Sequence, residues 1–232
     1  MTILALPRPR NALLDRLRTI QIGIAARGSV GAGLATQRGG AAAAVNWSQW
    51  FDHVWIAKSA ASLAASYIDL VGSKTLTTSA APTLGADGWT FNGSTQYLNT
   101  GVVCSQRTSF GVRFSNATKQ YGVIVGEEWF WIVPKWEGNI ISYRRHPTGG
   151  SAAPSISSGI LFNCNDGGYQ DGSLDLSWPD TGTPYGVPMY IGCKNAFDAF
   201  FATNATVQIV VIKNGPLNAA AVEAASEAMA AL

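Results

Sequence analysis

Charge is scarce in this chain of 232 residues: Asp, Glu, Lys and Arg together make up 13% of it, about half the usual share. That scarcity argues against charged surface helices, and the abundant Gly, Ser, Thr, Asn and Ala favour tightly turned β structure. Cysteine is rare as well. Cys104, Cys164 and Cys193 lie far apart, form no C-x-x-C pair and leave an odd count, so neither a zinc site nor a disulfide framework is indicated and buried free thiols are expected. Histidine occurs only as His53 and His146, in unrelated contexts. No apolar run approaches the length of a membrane span. The start MTILALPRPR is broken by Pro7 and Pro9 and does not read as a signal peptide, so folding in a cytoplasm is expected.

Aromatic residues, in contrast, are plentiful. Eight Trp, nine Phe and seven Tyr supply the apolar surface of one sizeable core, which excludes a disordered chain. The charge is unevenly spread. Before Asn46 there are six arginines, Arg8, Arg10, Arg16, Arg18, Arg27 and Arg38, against the single acid Asp15. Residues 1–45 therefore read as an Arg-rich and Gly/Ala-rich N-terminal arm with one short amphipathic helix over Asn11–Ile20. Such an arm becomes ordered mainly on a partner, and its dispersed arginines, without aromatics, suit a protein surface better than nucleic acid.

Residues 46–232 form the body. Short apolar runs alternate there with Gly, Asn, Asp, Ser and Pro, the pattern of many short strands joined by turns. Strands are predicted at Ser109–Phe114, Tyr121–Val125, Glu128–Val133, Asn139–Tyr143, Ser158–Asn163, Leu174–Leu176, Pro188–Ile191 and Thr206–Ile212. Asn92-Gly93 suits a hairpin turn. The segment from Leu217 to Leu232 reads as a helix capped by Asn218, docking Leu217, Val222, Met229 and Leu232 while Glu223 and Glu227 face water. An all-β sandwich with a terminal helix follows.

Four segments in order carry a family resemblance: Ser66–Pro82 (SYIDLVGSKTLTTSAAP), Gly88–Gly101 (GWTFNGSTQYLNTG), Asn165–Asp175 (NDGGYQDGSLD, with its turn at Asp171-Gly172) and Met189–Met229. Together they resemble the concanavalin A-like lectin and glucanase superfamily, in particular its laminin G-like repeats, over roughly residues 55–232. The resemblance implies a jelly-roll sandwich of two antiparallel sheets. It also implies either glycan binding or glycan hydrolysis, the latter by paired carboxylates on one strand.

That pair is missing. Glu127 and Glu128 are adjacent and point to opposite faces of a strand, Glu137 is isolated, and Asp171 and Asp175 lie near a turn, so no catalytic residues are expected. No G-x-S-x-G, H-E-x-x-H or P-loop occurs, and His146 reads as an exposed loop residue. No cofactor is expected. Calcium is the weaker possibility, with Asn163, Asn165, Asp166 and Asp171 as oxygen ligands, although turns require the same residue types. Among the aromatics, Trp129 and Trp131 on a doubly apolar strand read as core or subunit contact. Trp136 and Tyr169, expected in turns, are the better sugar platforms, with Asn165 and Asp171 beside them.

These readings together lead to a non-catalytic structural or decoration protein of a virus particle, a phage capsid or tail. It would be anchored by its arm, be homo-oligomeric, be assembled in the host cytoplasm and display a lectin-like domain on the virion surface. The alternative is a carbohydrate-binding module for host or environmental glycans. A glycoside hydrolase of the same fold comes third.

Overall fold

The run TVQIVVIK, Thr206–Lys213, is apolar at most positions, and every residue but the last is buried. A strand covered on both faces reads this way, because neither side chain of an alternating pair meets water. In the computed structural model, which describes residues 45–179, 182–194 and 201–232, this strand (β14) runs through the middle of the larger of two antiparallel sheets. That eight-stranded sheet has the order β12-β11-β10-β5-β14-β3-β2, with β1 also paired to β14. Its strands are β1 (His53–Ile56), β2 (Thr83–Gly85), β3 (Gly88–Thr90), β5 (Ser109–Ser115), β10 (Gly159–Asn163), β11 (Gly167–Gln170) and β12 (Ser173–Ser177). The smaller sheet has the order β4-β13-β6-β7-β8-β9. It is built from β4 (Leu98–Val103), β6 (Val125–Gly126), β7 (Phe130–Val133), β8 (Ile140–Arg145), β9 (Thr148–Pro154) and β13 (Pro188–Ile191). The expected jelly-roll sandwich is the observed architecture. Residues 1–44, which carry the six arginines of the arm, lie outside the described residues.

Two layers of apolar side chains fix the stacking. Between the sheets lie Trp55, Trp89, Phe110, Val112, Ile132, Ile141, Tyr143, Leu161 and Val210. On the other side of the larger sheet, Phe51, Phe162, Tyr169, Ile209 and Val211 meet Leu217 and, from the C-terminal helix (Ala219–Ala230), Val222, Ala225 and Met229. Each fully buried side chain of this size contributes about 1.5–3 kcal/mol, so docking the helix outweighs its modest intrinsic stability. Asn218 caps the helix as expected, its Oδ1 accepting from Ala221 N–H at 2.9 Å. Arg113 closes the other end by donating to the Met229 carbonyl, a cation at the negative pole of the helix.

Two expectations of local structure fail: Tyr121–Val125 is strand only at Val125, which opens β6, and the predicted hairpin is absent. Asn92-Gly93 does not turn a hairpin, because β3 and β4 belong to different sheets. Asn92 Oδ1 instead accepts from the backbone N–H groups of Ser94, Thr95 and Gln96, winding the chain into a loop that crosses between the sheets. A second loop is organised by Asp69, which is 7% exposed. Its carboxylate accepts from the N–H groups of Val54, Val71, Gly72 and Lys74 and lies 2.6 Å from His53 Nδ1. Burial raises the pKa of this acid, but the hydrogen bonds outweigh burial and the net shift is downward.

The helix and the segment around Trp47 and Phe51 cover the outer face of the larger sheet. The outer face of the six-stranded sheet is therefore the open one among the described residues. No helix among them is long and apolar enough to cross a membrane.

Candidate functional site

Strand pairing places one residue of each strand of the smaller sheet on a single transverse row. Asn99 of β4 faces Tyr190 of β13, Tyr190 faces Gly126 of β6, Gly126 faces Trp131 of β7, and Trp131 faces Arg144 of β8. Gly149 of β9 completes it opposite Arg144. Their chain neighbours Leu98, Ile191, Val125, Ile132 and Tyr143 are all fully buried, so alternation turns the row outward. Tyr190, Trp131 and Arg144 are each partly exposed.

At the β4 end the row enters a groove of about 280 Å³ lined by Thr77, Thr78, Ser79, Tyr97, Asn99 and Tyr190. The rings of Tyr97 and Tyr190 stack with centroids 4.8 Å apart and an interplanar angle of 7°. Ser79 Oγ lies 2.9 Å from the Tyr97 hydroxyl, and Asn99 Oδ1 accepts from Gly101 N–H at 2.8 Å. Burial, with Tyr97 and Cys193 adding to it, raises the Tyr190 hydroxyl above its ordinary pKa, so it stays an O–H donor at neutral pH.

Farther along, Trp131 joins an aromatic cluster in which every ring is partly exposed. Trp136 stacks at 6.1 Å and Phe201 lies at 6.2 Å, while Tyr121 meets Trp136 edge-on at 4.9 Å. Lys194 Nζ sits 4.4 Å from the Phe201 ring and pairs with Glu128 at 3.0 Å. The Arg144 guanidinium lies 6.0 Å from the Trp131 ring. The Trp131 indole N–H is buried and has no hydrogen-bond partner among the described residues.

Beyond this cluster, Trp129 stacks on His146 at 4.4 Å and meets Tyr185 at 5.2 Å. His146 is thus partly buried rather than the exposed loop residue expected. Glu127 is fully buried below, accepting from Trp129 N–H at 3.2 Å and Tyr185 N–H at 3.3 Å. Burial raises its pKa, and the backbone hydrogen bonds offset that only partly.

The residues singled out in the sequence are scattered. Trp136 sits in the β7–β8 turn and belongs to the open face, as a sugar platform should. Tyr169 does not. It lies on β11, 2% exposed, packed in the layer beneath the helix with its hydroxyl donating to Asp166 at 3.0 Å. The glycines around it had suggested a turn, but Gly167 and Gly168 are strand residues whose missing Cβ admits Leu174 and Tyr143. The calcium set is likewise not brought together. Asn163 is fully buried and its amide donates to the carbonyls of Trp131 and Arg144. Asn165 and Asp166 occupy the β10–β11 turn, whereas Asp171 lies at the far end of β11, accepting from Ile160 N–H at 2.9 Å. Trp131, read as core or subunit contact, is not in the core but is a partly exposed member of the row. Tyr97, Tyr190 and Arg144 were missed as site residues. The alternation of Met189, Tyr190 and Ile191 was the available signal, since it puts the tyrosine opposite two core residues.

No protein-family model matches the chain, and comparison with curated proteins gives no significant match. Solved structures do match. A sialidase of Trypanosoma rangeli superposes with a TM-score of 0.58 at 13% identity over 78% of this chain and 33% of its own. Domain 4 of a GH43 extracellular arabinanase from Geobacillus stearothermophilus, in complex with arabinotriose, gives 0.51 at 18% identity over 76% of this chain and 98% of that one. The binding domain of botulinum neurotoxin serotype G gives 0.50 at 16% identity, covering 77% and 51%. The chain thus spans about a third of the sialidase, and these likenesses establish an all-β sandwich shared with it. They also correct the expectation of a virus-particle decoration protein. The matching domains belong to glycan-hydrolysing enzymes and a toxin, so neither a phage origin nor a virion-surface location has support, and the arm on which that reading leaned is outside the described residues.

Proposed function

We propose that the chain is a carbohydrate-binding module that holds its ligand on the outward face of the six-stranded sheet. One observation carries this reading: Tyr190 and Trp131 stand on one row with only Gly126 between them. Two strand spacings separate them, about 10 Å, room for a short oligosaccharide lying across the strands. Sugar rings have an apolar C–H face and a rim of hydroxyls, and such ligands take aromatic surface together with a few fixed polar groups. Thr77, Thr78, Ser79 and Asn99 supply those groups beside the tyrosine pair. The arabinanase domain, matched over nearly its whole length and solved with arabinotriose, supports the reading.

Binding without hydrolysis is part of the proposal. Most retaining and inverting glycosidases use two carboxyl groups flanking one bond. Glu127 is buried under backbone N–H donors and Glu128 is paired with Lys194, which supports a non-catalytic role. Isothermal titration of the full chain against an array-selected oligosaccharide tests this. Saturable binding that Tyr190→Ala and Trp131→Ala each weaken about tenfold or more is expected. Unchanged affinity in both variants, with their fold intact, would refute the site.

A further inference from the structure

Resting on the carbohydrate reading, we infer that the preferred ligand is an acidic glycan, a chain of sugars bearing carboxylates, with Arg144 as the residue that receives the anion. The aromatic end of the row carries two cations, Lys194 and Arg144. They differ in what already neutralises them. Lys194 is held by Glu128 at 3.0 Å, with Phe201 and Trp131 below it. Among the described residues the Arg144 guanidinium lies 6.0 Å from the Trp131 ring and has neither a carboxylate nor a carbonyl partner.

An arginine with its donors free is common on a surface. This one is different in that its backbone is held and its guanidinium lies beside an aromatic ring. Its backbone lies in mid-sheet between β7 and β9, its carbonyl accepts from the buried Asn163 amide at 2.8 Å, and its side chain rests on an indole. A guanidinium pre-placed in this way loses less freedom on binding and offers a planar fork that matches a carboxylate. It also stands on the transverse row, three strand spacings from Tyr190, about 14 Å. An oligosaccharide that starts in the tyrosine groove and runs toward Trp131 brings a later residue to Arg144. A neutral sugar leaves the guanidinium unpaired there, and a carboxylated one satisfies it.

Titration calorimetry of the full chain tests the inference with matched probes. One pair is trigalacturonate and its methyl ester; the other is sialyllactose and lactose. At least one acidic probe is expected to bind about tenfold or more tightly than its neutral partner, and which pair responds separates uronic from sialic acids. Arg144→Gln is expected to abolish that preference and Arg144→Lys to restore part of it. Equal binding of acidic and neutral probes, or a preference that survives Arg144→Gln, overturns the charge inference while the carbohydrate reading stands. No binding of any of the four probes overturns the charge inference, and the carbohydrate reading falls with it if the array-selected oligosaccharide also fails to bind.

Discussion

Arg145 Nε donates to Asn163 Oδ1 at 3.2 Å, and through this contact the two sheets are tied across the core. The rest of the arginine, fully buried, reaches the carbonyls of Gln106 and Thr108, and the Asn163 amide reaches those of Trp131 and Arg144. Asn163 thus braces from behind β7 and β8, two of the strands that carry the proposed site. Asn163→Ala leaves a buried guanidinium and two carbonyls short of partners. A loss of about 3 kcal/mol in urea unfolding is expected, and weaker ligand binding with it. A loss below about 1 kcal/mol would show that the bracing is dispensable.

Asp69 and Glu127 predict opposite pH behaviour. The folded-state pKa of Asp69 is lowered, so its contribution is fully present above the ordinary carboxylate pKa near 4 and is lost as pH falls through the folded value. Asp69→Asn is expected to cost about 2–3 kcal/mol at pH 7, with the gap to the parent closing in acid. Glu127 has a raised pKa, so its contribution is present below the unfolded value and lost as pH rises through the folded one. Glu127→Gln is therefore expected to gain stability relative to the parent on going from pH 4 to pH 7. Chemical denaturation at several pH values checks both signs.

Glycine at position 111 is required by contact rather than by conformation. A Cβ there would lie 2.3 Å from a Phe162 ring carbon, whereas one at Gly85 meets nothing within 4 Å. Gly111→Ala is expected to cost about 1–3 kcal/mol by overpacking and Gly85→Ala close to none, read from thermal unfolding.

All three thiols are buried and free. Burial raises the pKa of Cys164 and of Cys193 to about 12, and that of Cys104 also upward. None is expected to react with a thiol reagent at pH 8 until the chain unfolds, when all three should react together. Rapid labelling of any one in the native protein would place it in a locally opening segment.

The sandwich was legible because its cause is local. TVQIVVIK announces a doubly covered strand, and LNAAAVEAASEAM announces a capped helix that the fold then docks. The site was only partly legible. Trp136 was rightly placed in a turn because a turn tryptophan has no core to enter, but Tyr169 was misplaced because glycines that admit neighbouring side chains look like glycines that turn the chain. The row from Asn99 to Gly149 depends on the register of strands far apart in sequence, and no local pattern states it. The functional expectation failed for a related reason: it drew on the composition of the arm, which says nothing of what the body can hold.

The central claim is that a saccharide lies along that row. Titrating the isotopically labelled full chain with the best-binding oligosaccharide, and following its amide and indole N–H signals by NMR, tests it most directly. The expected result is that perturbations concentrate at Thr77, Asn99, Gly126, Trp131 and Tyr190. Perturbations confined to the turns at Asn165-Asp166 or Asp171-Gly172, with the row unmoved, would contradict it.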